Sequence, residues 1–275
     1  DIRCGFEEAS AYLIAQDEDQ VKELDGIQES CQKLNVQAGF SNNIPVPLPF
    51  IKAMEIPSQA KFSPVEYVYA LALVFERLGG VIVQQCRVIN HQAQMDLVTG
   101  KELIEAGTSL EVSFYGKALV YATHIPTGVN VLHFRCAPYR SYAMAVKLED
   151  DYPGGLIYDM YDPYHYYRTQ EINGEKYFIA GGEDHKTGHE ENTERCFHAL
   201  EAHVRKFFKV KEITHQWSSQ YFEPADGLPY IGKLPGDTSN VYVATGFGGN
   251  GITYSHVATL LLTDLIVNGS SKYEK

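Results

Sequence analysis

The chain has 275 residues, is 44% hydrophobic and carries a formal net charge of −12. Its length suggests one large or two small domains with a sizeable core, and its composition excludes a disordered chain. The acidic balance argues against nucleic acid and anionic membrane surfaces as partners, and no basic cluster interleaved with aromatics interrupts it.

In chain order, residues 6–36 read as helical, with Val21, Leu24, Cys31 and Leu34 as an intermittent apolar face and a break near Gly26. Residues 38–60 are rich in Pro and Asn, with short extended runs such as Phe50–Met54. Ser63-Pro64-Val65-Glu66 then combines an N-cap serine, a proline at the first helical position and a capping-box glutamate. The run to Leu78 is mostly apolar, which predicts a largely buried helix ended by Gly79-Gly80. Val81–Val83 reads as a buried strand. Val88–Leu97 and Ser109–Phe114 read as meander strands around a turn at Gly100, and Lys117–Thr123 as a strand ending at His124. From 132 to 183 the pattern is extended and aromatic: Tyr139–Lys147, Gly155–Tyr161, Tyr164–Arg168 and Lys176–Ala180. Asn173-Gly174 signals a hairpin between the last two. Phe197, Leu200, Val204 and Phe207 define an amphipathic helix over 193–208. A last strand near Val241, a glycine loop and a helix over 253–267 close the chain. The mixture is α+β, and the 19 tyrosines favour sheet and amphipathic pocket walls.

Cys4, Cys31, Cys86, Cys136 and Cys196 are odd in number and contain no C-x-x-C, so reduced thiols in a cytoplasmic protein fit best. No signal-peptide pattern is legible. Val257 to Val267 is too short to span a bilayer and is interrupted by Asp264. The chain opens at Asp1, without Met, and reads as a processed or truncated piece.

Gly246-Phe-Gly248-Gly249-Asn250-Gly251 fits G-x-G-x-x-G, the dinucleotide fingerprint. That motif needs a whole βαβ unit with an acidic residue about 20 positions on, and Lys275 comes too soon for a second strand. The loop is therefore read as a carboxy-terminal glycine turn rather than a pyrophosphate cradle, and on spacing alone tight packing explains it equally well. His185 and His189 have helical metal spacing but lie in a loop composition with no third ligand nearby in sequence, so no metal is expected. As a strand, 163–168 places Tyr164, Tyr166 and Arg168 on one face and His165 and Tyr167 on the other. A buried arginine framed by tyrosines suits a carboxylate clamp, although the pattern alone favours an exposed arginine beside sheet aromatics.

Trp217–Gly232 followed by Asn240–Thr253 resembles the end of the D-amino-acid-oxidase-type flavoproteins, a group that includes glycine oxidase and sarcosine oxidase. Phe62-Ser-Pro-Val-Glu-Tyr67, Gly79-Gly80 and Lys117–Thr123 resemble its middle segments, and Tyr166–Gly188 its substrate-domain hairpin. The ordered set covers most of 45–270 and is specific, though each motif is weak alone. The set also resembles a bacterial subgroup that carries an added Rieske domain, yet no cysteine/histidine cluster motif stands in this chain. The resemblance implies a substrate domain with a large, mostly antiparallel sheet, joined to the later parts of an FAD-binding α/β domain whose N-terminal βαβ unit is missing. It divides the chain into 1–62, 63–125, 126–236 and 237–275: substrate domain, FAD-domain remnant, sheet of the substrate domain, and flavin-ring loop with its helix. It implies FAD in the full-length protein and no tightly bound FAD on this piece. Gly246, Gly248, Gly249, Asn250, Gly251, Ile252 and Thr253 would lie along the flavin ring, with Val88 as a backbone contact. Arg168 would bind a substrate carboxylate beside Tyr166 and Tyr164, with Arg140 as the next candidate. Many members have a further arginine shortly after the tryptophan, where this chain has Tyr221-Phe222. The implied reaction oxidises an amine or amino acid by hydride transfer from its α-carbon to flavin, with dioxygen or another acceptor reoxidising it. The alternatives are a non-catalytic domain that binds a small acid without flavin and a metal-dependent enzyme built on His185 and His189.

Overall fold

The computed structural model describes residues 2–274. Its opening differs from the expected helix over 6–36. Strand β1 (Glu7–Ala15) comes first, then helix α1 (Glu18–Lys33), which starts where the Asp17 carboxylate accepts the Asp19 and Gln20 N–H groups. β1 is an interior strand, antiparallel to β3 (Lys52–Lys61) and parallel to β9 (Leu156–Asp159). Tyr12 and Ile14 pack into one core, Leu13 and Ala15 into another beneath α1. A strand covered on both faces loses the alternation that identifies strands, and its apolar run reads as helix.

β1, β3 and β9 belong to an eight-stranded sheet ordered β12-β8-β11-β10-β9-β1-β3-β2, with β2 at Gly39–Ser41, β8 at Cys136–Leu148, β10 at His165–Ile172, β11 at Glu175–Lys186 and β12 at Val210–Pro224. Asn173 (φ 53°) and Gly174 (φ 79°) both take positive φ at the β10–β11 turn, as a two-residue hairpin requires. Helix α3 (Thr193–Phe207) contributes Cys196, Leu200 and Val204 to the main core, with Tyr142, Met144, Val146, Tyr167 and Phe178. Tyr142 is fully buried and its pKa is pushed up to about 12, chiefly by burial.

The chain forms two compact units, 1–80 with 140–219 and 81–139 with 220–275. In the second, β4 (Val88–Met95), β5 (Glu102–Thr108) and β6 (Ser113–Gly116) form an antiparallel meander. β7 (Leu119–Tyr121), β13 (Tyr230–Lys233) and β14 (Val241–Thr245) form another sheet, with β14 parallel to β7. Helix α4 (Gly251–Asn268) covers β14 through Ala258, Leu261, Leu262 and Leu265.

Two expectations of burial fail. Helix α2 (Pro64–Arg77) starts at Ser63 as the sequence predicts, but none of its residues is buried. Val65, Val68, Tyr69, Leu73 and Phe75 are all more than half exposed. Val81–Val83 forms no strand and is exposed. Apolar sequence supplies a reason to be covered but not the cover, so hydropathy alone overstates burial here.

Candidate active site

Each unit offers one surface with chemistry. In the second unit, β14 buries all five of its residues and ends at the glycine loop. Gly246 (φ 71°) and Gly248 (φ 54°) occupy the left-handed region, where a side chain is strained. A Cβ on Gly246 would lie 3.1 Å from Pro224 and 3.3 Å from the Cys136 sulfur. One on Gly248 would lie 3.0 Å from the Glu223 carboxylate, so this glycine also makes room for Glu223. The Gly248 N–H bonds to the Phe222 carbonyl at 3.0 Å, tying the loop to β12. Beside the loop lies a cavity of about 190 Å³ walled by Ala122, His124, Tyr221, Phe222, Ala244–Gly248 and Gly251. Gly249 and Asn250 are exposed on the turn into α4, and Ile252 and Thr253 stand in its first turn. The Asn250 side chain makes no capping hydrogen bond. The first N–H groups of α4 thus carry positive potential without a side-chain cap. A glycine wall, aromatic flanks and an uncapped helix start suit a planar ring with acceptor atoms on one edge, so the residues present fit a flavin ring.

Val88 stands at the start of β4, packed against the Ile104–Tyr121–Leu132 core, which also holds Val241 and Val243 of β14. Sequence reasoning did not assign the cavity walls contributed by His124, Tyr221 and Phe222. His124 takes φ 62° and sets its ring edge-on to Phe222 at 6.0 Å. Such a backbone at a non-glycine residue has no sequence signal.

In the first unit, β10 alternates as expected: His165, Tyr167 and Thr169 are buried, and Tyr166 and Arg168 are half-buried on the other face. Tyr166 lies across Gly181, where a Cβ would come within 2.1 Å of its ring. Tyr164 is 6.0 Å from it, ring to ring. Opposite Tyr166 on β9 stands Tyr158, which was not singled out from sequence. The Arg168 guanidinium donates through Nη2 to the Phe62 carbonyl at 2.8 Å and to the Gln170 amide oxygen. Both of these partners are neutral, and no salt bridge engages it among the described residues. Burial lowers its pKa and Tyr158 opposes the shift. A partly desolvated cation with neutral partners favours an incoming anion. Arg140 stands on β8. It has the parity of Tyr142 and Met144, which pack under α3 with Tyr167, so alternation puts it on the other face from Arg168. It donates to the Ser218 hydroxyl at 2.7 Å.

Beneath β10 lies a cluster that the sequence did not reveal. His165 Nδ1 faces Asp159 Oδ2 at 2.8 Å and Nε2 faces Glu183 Oε1 at 3.3 Å. Burial alone would lower the His165 pKa, but hydrogen bonds and charge from Asp159 and Glu183 overcome it and raise it to about 9. The His203 ring stacks on it at 3.7 Å and 12°. Burial, then the charge on His165, lowers the His203 pKa to about 4. Donor atoms of Asp159, His165 and His203 lie within 4.8 Å of one another, as a metal site requires. The stacking opposes it: near-parallel imidazoles hold their lone pairs in separate planes, which do not converge on one ion at roughly 2.0–2.1 Å. His185 and His189 do not form a site either. His185 is engaged by the Tyr142 hydroxyl at 2.8 Å and the Lys186 carbonyl at 3.0 Å, while His189 is exposed on the turn after β11.

Residues 1–265 match the FAD dependent oxidoreductase family. The chain belongs to this family. A putative Rieske 2Fe-2S iron-sulfur protein, YhfW of Bacillus subtilis (strain 168), is 29% identical over 275 residues, which are 99% of this chain and 53% of that protein. The chain therefore spans about half the length of this curated relative. Among solved structures, glycine oxidase from Geobacillus kaustophilus superposes with a TM-score of 0.81 at 17% identity, covering 99% of this chain and 74% of that one. Glycine oxidase from Bacillus cereus ATCC 14579 gives 0.76 at 19% identity, covering 99% and 76%. At these identities the superpositions establish the shared fold, a mixed α+β architecture with a large, mostly antiparallel sheet. No helix among the described residues is long and apolar enough to cross a membrane.

Proposed function

We propose that this FAD-dependent oxidoreductase oxidises a small amine or amino acid that carries a carboxylate, with Arg168 holding that carboxylate. The observation that carries the reading is Arg168 itself: half-buried, hydrogen-bonded to neutral groups, and on the same sheet face as Tyr158 and Tyr166. A planar guanidinium binds a carboxylate through two parallel hydrogen bonds and fixes its orientation as well as its affinity. FAD would supply the acceptor for a hydride from the substrate α-carbon. The glycine loop, from Gly246 to Thr253, would receive the ring edge, with the first N–H groups of α4 facing its acceptor atoms. The aromatic walls at Tyr221 and Phe222 would exclude water from the ring.

The bare face of α2 supports a further part of this reading: another segment of the full-length protein covers it and completes the FAD domain. The 275 residues alone would then bind FAD weakly. Two measurements test the proposal. Anaerobic mixing of the full-length flavoprotein with a panel of amino acids and amines should bleach the flavin for carboxylate-bearing members; bleaching by none of them contradicts the reading. Stoichiometric flavin absorbance on the purified 275-residue chain would contradict the weak-binding part.

A further inference from the structure

The β10–β11 register is set by the tight Asn173-Gly174 turn. No such turn joins β9 to β10, yet their register decides whether Tyr158 stands opposite Tyr166, beside Arg168. A slip of one residue would turn Tyr158 away from the open face.

Side chains from three strands meet beside that pairing. Asp159, the last residue of β9, accepts the His165 backbone N–H at 2.7 Å through Oδ1 and faces the His165 ring at 2.8 Å through Oδ2. Glu183 reaches the other ring nitrogen from β11. It does so from a distorted backbone, with Gly182 at φ 148° and Glu183 at φ 56°, where a Cβ on Gly182 would come within 2.5 Å of the Tyr164 carbonyl. Asp159 is 3% and His165 5% exposed. With both ring N–H groups donating, the imidazolium is paired on each side. Among the described residues, it is also faced by neutral His203 from α3, which accepts from the Tyr167 hydroxyl at 2.6 Å, and by the Tyr161 ring, edge-on at 6.5 Å.

Burying such a set is costly, and apolar residues of equal volume often give as much stability or more. Charges add discrimination, because a slipped register would leave each of them buried without its partner.

We propose that Asp159, His165 and Glu183 form a clasp that holds β9 in register with β10, and that Tyr158, so positioned, is a third substrate-contacting group, offering its hydroxyl to the carboxylate held by Arg168. The inference rests on the carboxylate reading of Arg168. Tyr158 is then a binding residue, and His165 a positioning residue that acts through it.

The test uses the full-length flavin-bearing protein and benzoate, a carboxylate without an amine, titrated by its perturbation of the flavin spectrum. Arg168→Met should weaken benzoate at least 30-fold; if it does not, the carboxylate reading fails and this inference falls with it. Given that loss, Tyr158→Phe should weaken benzoate about 5- to 10-fold and leave flavin affinity unchanged. His165→Phe, which keeps the ring stack on His203, should cost a similar factor. Combining the two should add little, since His165 acts through the hydroxyl already removed. Asp159→Asn, which keeps a side-chain oxygen for the His165 N–H, should remain within about 3-fold of wild type. From pH 7 to 10 wild-type affinity should fall as His165 loses its second proton, and His165→Phe should be flat. Unchanged benzoate affinity in Tyr158→Phe, or fully independent losses in the double variant, would overturn the proposal.

Discussion

The two candidate surfaces are built by opposite devices. The glycine loop works by leaving side chains out: Gly246 and Gly248 take backbone angles that L residues resist and leave a wall of main chain beside an aromatic cavity. The open face of β10 works by putting charge in: Arg168 is half-buried above, and below it the Asp159 carboxylate and the His165 imidazolium are buried, with Glu183 half-buried beside them. A surface for a planar ring needs close backbone approach. A surface for a small charged group needs rigid side chains, and rigidity comes from what lies behind the strand.

Changes behind β10 should therefore cost the most stability. Asp159→Ala leaves a buried imidazolium short of a partner, and about 3–5 kcal/mol should be lost in denaturant unfolding. A loss under 1 kcal/mol would show that the cluster is incidental.

The same cluster predicts a pH dependence of similar size. The folded pKa of His165 is raised to about 9 from the ordinary imidazole value of 6.5. Its stabilisation is then fully present below pH 6.5 and lost as pH rises through 9. The difference corresponds to about 3 kcal/mol at most. Denaturant midpoints measured from pH 6 to 10 should fall in wild type and stay level in His165→Phe.

The loop should respond less in stability and more in cofactor binding. Gly248→Val puts a branched side chain at φ 54° and against Glu223, a strain of about 1–3 kcal/mol. In the full-length protein flavin affinity should fall by more than this strain alone explains. An equal loss of stability with unchanged flavin affinity would favour packing as the reason for the glycine.

At the low end stands α2. Leu73→Ser on its exposed face should change the stability of the 275-residue chain by less than about 0.5 kcal/mol, whereas Leu200→Ala in the core should cost about 2–5 kcal/mol. In the full-length protein Leu73→Ser should become costly if another segment covers that face.

Much of this was legible in the sequence where a local rule operates. Ser63-Pro64 starts a helix, Asn173-Gly174 makes a hairpin, and alternation placed Tyr166 and Arg168 opposite Tyr167. The rest depends on what meets in space. β1 hid as a helix because both its faces are covered. α2 was read as buried because sequence records hydrophobicity, not coverage. The partners of His165 come from residues 159, 183 and 203, on three other elements, and no spacing rule connects them. Arg140 and Arg168 look alike in sequence because parity relative to the core cannot be assigned until the core is known.

The most direct test of the central claim is carboxylate affinity in Arg168→Lys of the full-length flavoprotein. Lysine keeps the charge but not the planar fork. The expected loss is on the order of 2–4 kcal/mol, roughly 30- to 1000-fold, with flavin binding nearly unchanged. Carboxylate affinity that survives both Arg168→Lys and Arg168→Met would contradict it.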